Sequence, residues 1–161
     1  MPAKPSPLTV RPSRIEDAES VGRMAGAFAD YLRGLGDDTD FRFDAEAFRR
    51  DGFGPNPAFA GLIAEQDGKA VGYLHYHLGY DADAAERVIH IVDLWVEPQA
   101  RGLGAGRALM RETARIGREK DATLLFWAVY KPNRLAAAFY ERIGARYVRG
   151  LDFMMIEASG L

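Results

Sequence analysis

Apolar residues recur every three or four positions at Ile15, Ala18, Val21, Ala25, Phe28 and Leu32, which predicts a helix with one buried face. Ser13 stands three residues before Glu16, a capping-box spacing that would start it. Gly34-Leu-Gly-Asp-Asp-Thr-Asp40 breaks the pattern, a short helix is expected from Asp44 to Arg50, and Gly52 to Pro57 reads as a loop. Leu8 to Arg11, Ala58 to Glu65, Ala70 to Leu78 and Arg87 to Val96 read as strands. Asp67-Gly68 joins the second and third as a hairpin turn, and Glu97-Pro98 ends the fourth, because proline cannot donate to a ladder.

A helix from about Gly104 to Glu119 carries Leu109, Met110, Thr113, Ala114 and Gly117 on one face. Thr123 to Val129 is a continuous apolar strand, the signature of burial on both faces and of a parallel neighbour. Asn133 opens another helix that ends at Gly144, and Tyr147-Val148 with Leu151 to Ile156 would form a final hairpin. The order βααβββαβαββ is that of a mixed α/β fold. A flexible proline-rich start, residues 1–7, precedes a single expected domain, residues 8–161.

Composition narrows the function classes. The chain has 161 residues, 48% hydrophobic and 27% charged, so it can bury a core without staples. A net charge of −2 gives no basic face for nucleic acid. With no cysteine there is no thiol nucleophile, disulfide or thiolate metal site, and no metal centre is expected. The longest apolar run, Leu124 to Tyr130, falls far short of the roughly 20 residues that cross a bilayer. A cytoplasmic protein without membrane contact is the expectation.

Asp93-Leu-Trp-Val-Glu-Pro-Gln-Ala-Arg-Gly-Leu-Gly-Ala-Gly-Arg107 carries the chemistry. A strand runs into a turn, and Gly102, Gly104 and Gly106 then open a helix. The amides from Leu103 through Ala105 to Arg107 lack intrahelical partners and lie at the positive end of the helix dipole. That makes an anion site suited to a phosphate or pyrophosphate, with Arg101 and Arg107 flanking it. A Walker loop would need Lys-Ser/Thr after Gly106, and a dinucleotide fingerprint would need Gly at 107; Arg107 excludes both.

Gln99-Ala-Arg-Gly-Leu-Gly104, preceded by Asp-Leu-Trp-Val-Glu-Pro, resembles the acyl-CoA loop of the GNAT superfamily of acetyl-CoA-dependent N-acetyltransferases. Trp127 to Ala145 resembles the second cofactor motif of that superfamily. Arg50-Asp-Gly-Phe-Gly-Pro-Asn-Pro57 and Ala70-Val-Gly-Tyr-Leu-His-Tyr76 are similar to its spermidine/spermine (diamine) branch. The resemblance implies a GNAT fold in which two parallel strands, Arg87–Val96 and Thr123–Val129, splay apart. It implies acetyl-CoA as co-substrate, the pantetheine arm along Leu94, Trp95 and Val96, and pyrophosphate on Gly102 to Arg107. Asn133 and Ala136 would touch the cofactor and Tyr140 would protonate the departing thiolate. Tyr31 and position 92 would face the acceptor, and homodimers are common in the family.

Asn133 and Tyr140, seven apart, do share one helix face. Two departures from the diamine branch bear on the reaction: Val92 replaces the glutamate before Asp93, and Leu32 replaces an acid late in the first helix. The proton acceptor is left open among Asp93, His75, His77, His90 and a water chain. Strand alternation groups His90, Val92 and Leu94 on one face and Ile91, Asp93 and Trp95 on the other, unless a bulge intervenes. The acidic stretch Asp37, Asp38 and Asp40 either draws a cationic amine or is a solvated loop. The first reading is direct acetyl transfer in a ternary complex to a primary amine of a small molecule, diamine-like or amino-acid-like. The alternatives are a non-catalytic acyl-CoA-binding module and an acetyltransferase acting on a protein amine.

Overall fold

The computed structural model describes residues 6–160; most of the expected flexible start, and the last residue of the expected domain, lie outside them. Within them the Ser6 amide donates to Asp67 Oδ1 at 2.7 Å. One five-stranded sheet runs in sequence order: β1 (Thr9–Pro12), β2 (Ala60–Gln66), β3 (Lys69–Asp81), β4 (Glu86–Val96) and β5 (Ala122–Phe126). All neighbours are antiparallel except β4 and β5, which are parallel as the apolar run of β5 predicts. On one face lie α1 (Ala18–Gly34) and α2 (Ala45–Gly52); on the other lies α3 (Ala105–Glu119); and α4 (Arg134–Arg142) follows β5.

Each face has its own core. Leu62, Ala64, Leu74, Ile89 and Ile91 pack beneath Ala105, Leu109 and Met110 of α3. Ile63, Tyr73 and Trp95 pack beneath Val21, Met24, Ala25 and Phe48 of α1 and α2. Alternating residues of one strand thus serve two helical layers.

The capping box at Ser13 and Glu16 does not form. A 3₁₀ turn, Ile15–Asp17, precedes α1, and Asp17 takes over: its Oδ2 accepts from the Arg14 amide at 2.7 Å while its carboxylate binds Arg11. Ile15 is consequently exposed rather than part of the buried face. β5 stops at Phe126, and Thr123 and Leu124 are exposed, because no element covers that half of the edge strand. The final hairpin is absent: residues 145–157 carry no strand. Tyr147, Val148, Leu151, Phe153 and Ile156 are exposed, and Met154 and Met155 reach 97% and 95%.

His75 is a core residue, 2% exposed, ringed by Phe43, Phe48, Phe59 and Tyr73, and its Nε2 has no partner. Burial pushes its pKa down from 6.5 to about 3. Because the unfolded chain binds this proton at a higher pH, stability is lost as pH falls below 6.5, by about 2 kcal/mol at pH 5. Urea midpoints measured at pH 7.5, 6 and 5 should fall in the wild type and hold or rise in His75→Phe. The comparison of the two proteins isolates His75, since Asp93, whose pKa is raised, works in the opposite sense.

Candidate active site

β3 and β4 fall out of register between His75 and Tyr76: His75 faces Asp93, Tyr76 faces Ile91, and Val92 faces nothing. This is a β-bulge. It overturns strict alternation along β4. Ile91 and Leu94 pack on the α3 side, whereas Asp93 and Trp95 both turn toward α1 and α2. Val92, the residue in the branch's glutamate position, is 52% exposed.

Asp93 lines a cavity of about 120 Å³ with Phe28, Ala29, Leu32, Arg33, Asp37, Thr39 and Phe41. Part of the residue is open to that cavity, but protein crowds its carboxyl, and desolvation pushes its pKa up from 3.8 to about 6. Tyr73 Oη donates to Asp93 Oδ2 at 2.5 Å. Tyr140, half-buried on α4 with its ring 4.8 Å from that of Trp127, has its phenol pKa raised well above 10 by burial and by the Asp93 charge. It is therefore protonated throughout the neutral range.

Leu32, standing where the diamine branch has an acid, is a wall of this cavity. Of the acidic stretch only Asp37 reaches it; Asp40 pairs with Arg42, and Asp44 caps α2 by accepting from the Ala47 amide. His77 and His90 lie elsewhere, hydrogen-bonded to each other across the β3–β4 arm at 2.8 Å. Neither lines the cavity.

The glycine loop has the conformation its sequence demands. Gly102 and Gly104 adopt φ of +76° and +94°, and a Cβ on either would meet nothing within 4 Å. The constraint there is backbone conformation, and the approach to the loop is open. Gly104 is the N-cap of α3 and supplies no side-chain cap, so the first amides of the helix are unclaimed by side chains. Gly106 has another reason to be small: a Cβ there would sit 3.1 Å from the Phe139 ring. Leu103 and Arg107 are exposed and Ala105 is buried. A shallower groove of about 670 Å³ runs from Gly104 along α3 past Arg107, Arg111, Arg115 and Arg118, away from Asp93.

Between loop and cavity lies Arg101. Its guanidinium rests over the rings of Trp95 (4.6 Å) and Tyr31 (5.5 Å), and its Nε donates to the Val96 carbonyl at 3.0 Å. Tyr31 Oη donates to Asn133 Oδ1 at 3.1 Å, and the same oxygen accepts from the Ala136 amide at 3.2 Å. Asn133 therefore caps α4 and ties it to α1. Tyr73 was invisible to periodicity, which assigns a strand tyrosine to the core; its ring is core and only its hydroxyl belongs to the site. Among the described residues no group of three or more histidines or carboxylates could hold a metal, and no helix is long and apolar enough to cross a membrane.

The model of the acetyltransferase (GNAT) family matches residues 27–145. The chain belongs to the GNAT family. It is thus an acetyl-CoA-dependent N-acetyltransferase, and the mixed α/β fold is that of its relatives. The thialysine N-epsilon-acetyltransferase of Sus scrofa is 32% identical over 147 residues, covering 86% of this chain and 84% of that protein. Human spermidine/spermine N(1)-acetyltransferase-like protein 1 is 31% identical over 103 residues, 60% of this chain and 15% of that one. A ribosomal-protein-alanine N-acetyltransferase of Brucella melitensis superposes with a TM-score of 0.74 at 18% identity, covering 94% of this chain and 99% of that one.

In this GNAT chain, Gly104→Ala should lower unfolding stability by roughly 1–2 kcal/mol, the cost of a left-handed non-glycine residue. Gly26→Ala, mid-helix with nothing within 4 Å, should raise it by about 0.5–1 kcal/mol. Urea denaturation of the two variants checks both signs.

Proposed function

We propose that this enzyme acetylates the terminal primary amine of a small, amino-acid-like molecule. The observation that carries the proposal is Asp93 on the wall of a small cavity whose apolar walls include Phe28, Leu32 and Phe41. Those walls suit an aminoalkyl chain, and the carboxylate suits its ammonium end. Arg33 and Asp37, the two charged residues that also line the cavity, offer one cation and one anion for an α-carboxylate and an α-ammonium group. The relatives named for thialysine, an amino acid with a side-chain amine, agree with that pattern. A polyamine would meet Leu32 where the diamine branch has an acid and would face the Arg33 cation, and a protein acceptor would want an open groove.

Acetyl-CoA fits the residues present. The open left-handed glycines and unclaimed α3 amides suit its pyrophosphate, Arg101 and Arg107 its charge, and Leu94 to Val96 with Asn133 and Ala136 its pantetheine arm. When bound it supplies an activated acetyl thioester. Asp93 accepts the proton of the ammonium group; a carboxyl whose pKa lies near 6 makes that transfer less uphill than an ordinary one. As the freed amine nitrogen bonds to the acetyl carbon and the C–S bond breaks, Tyr140 gives its phenolic proton to the sulfur. The second proton that the nitrogen sheds on becoming an amide leaves to solvent, from which Tyr140 is reprotonated and to which Asp93 returns the first. With no cysteine to carry an acetyl group, transfer is direct within a ternary complex.

We further propose a cytoplasmic homodimer. The exposed apolar segment from Tyr147 to Ile156, whose Phe153 ring lies 6.4 Å from that of Phe126 on β5, supports a second copy of the chain as its cover. Light scattering should give twice the chain mass, and Met154→Glu with Met155→Glu should halve it.

The enzyme reading is tested by free-CoA release over a panel of lysine, thialysine, amino-acid amides, putrescine, spermidine and a peptide. Thialysine or lysine should turn over fastest, and preference for the peptide or spermidine would overturn the acceptor class. Asp93→Asn and Tyr140→Phe should each lower kcat/KM by about 10²–10⁴-fold. The wild-type profile should include a limb that rises with pH near 6 as Asp93 ionises. CoA binding without turnover on any amine would favour a binding module.

A further inference from the structure

With Val92 in the glutamate position, Asp93 stands without a neighbouring strand carboxylate, so what holds it matters more. Among the described residues its only side-chain hydrogen-bond partner is Tyr73, whose Oη lies 2.5 Å from Oδ2, and the carboxylate also accepts from the Leu94 backbone amide. Tyr73 lies opposite Trp95 in the β3–β4 register, two pairs before His75 and Asp93 and so on the same face. Its ring is fully buried among Met24, Phe48, Ile63 and Trp95, and its centroid lies 4.7 Å from that of His75. A ring so packed cannot swing its hydroxyl away, and a buried phenol must find an acceptor. Tyr73 and Asp93 are brought into line by the Val92 bulge; without it, Asp93 would point to the α3 side.

We propose that Tyr73 is a positioning residue, which holds Asp93 Oδ2 and thereby aims the carboxylate at the amine in the cavity. The inference rests on the reading of Asp93 as proton acceptor. A donor to a carboxylate stabilises its charged form, so Tyr73 also opposes the rise in pKa that burial of Asp93 imposes. The other titratable groups around Asp93 are His75 on β3, Arg33 on α1, Asp37 in the α1–α2 connection and Tyr140 on α4. His75, buried and with its pKa at about 3, stays neutral over the working range.

The test is the pH dependence of kcat and KM for Tyr73→Phe, with Asp93→Asn and Tyr76→Phe measured alongside on the best amine of the panel. Tyr73→Phe should keep the KM for acetyl-CoA. Its rising limb should move up by about one pH unit, so that kcat falls about fivefold at pH 6 and hardly at pH 8. Tyr76→Phe, on the opposite face of the sheet, should leave the limb in place. Should Tyr73→Phe fail to fold, 3-fluorotyrosine installed at position 73 keeps the ring and makes a stronger donor, and the limb should move down. A limb unmoved by either change, with Asp93→Asn inactive, would reduce Tyr73 to a core residue and overturn the inference. An Asp93→Asn protein that keeps both turnover and limb would overturn the assignment of Asp93 itself, and this inference with it.

Discussion

One unpaired residue sets the site. Val92 has no partner on β3, and that single insertion moves Asp93 from the α3 side of the sheet to the side of α1 and α2. Everything that gives Asp93 its character lies on that side: the Tyr73 hydroxyl, the apolar walls from α1 and the connection to α2. A carboxylate on the α3 side would instead meet Leu109 and Met110, with no cavity and no donor among them. The bulge also exposes Val92, so the branch's glutamate position could not supply the same carboxylate to the same cavity without further change.

The cavity and the loop make opposite electrostatic demands and are kept apart by aromatic residues. The loop gathers N–H dipoles and arginines; the cavity holds a carboxylate amid hydrocarbon. Trp95 and Tyr31 stand between them, with the Arg101 guanidinium stacked on one side of that partition. Asn133 fastens the partition to α4, so the helix that bears Tyr140 is held against the helix that walls the acceptor cavity. The placing of Tyr140 relative to Asp93 therefore depends on a contact between α1 and α4 that does not pass through the sheet.

Most of the architecture was legible because its signals are local. The Asp67-Gly68 turn, the glycines before α3 and the apolar run of β5 each state their geometry within a few residues. The conformation of the glycine loop was legible for the same reason, although the closeness of Phe139 to Gly106 was not. What the sequence concealed was non-local. Alternation cannot show a bulge, because the extra residue is defined only by the partner strand. Tyr73 and Asp93 are 20 positions apart and meet only through that register. The Ser13–Glu16 box lost to Asp17 because Arg11, six residues back on β1, gives Asp17 a second reason to point there. The final hairpin pattern is real, but apolar alternation says that a segment wants a partner, not that its own chain provides one.

Arg101 carries a consequence for recognition. Its Nε occupies the Val96 carbonyl, one of the main-chain groups along which a pantetheine arm would lie, and its guanidinium lies on the indole of Trp95. An arm that takes that carbonyl must first evict a side chain already well housed, so its arrival is an exchange rather than a simple addition. The evicted guanidinium is recovered only if an anion waits within reach, and the adjoining glycine loop is where such an anion would sit. A thioester bearing a diphosphate makes both halves of the exchange, whereas a truncated acyl-pantetheine makes only the unfavourable one. The resting contact of one arginine thus links the Val96 carbonyl to the glycine loop, so that what happens at one is felt at the other.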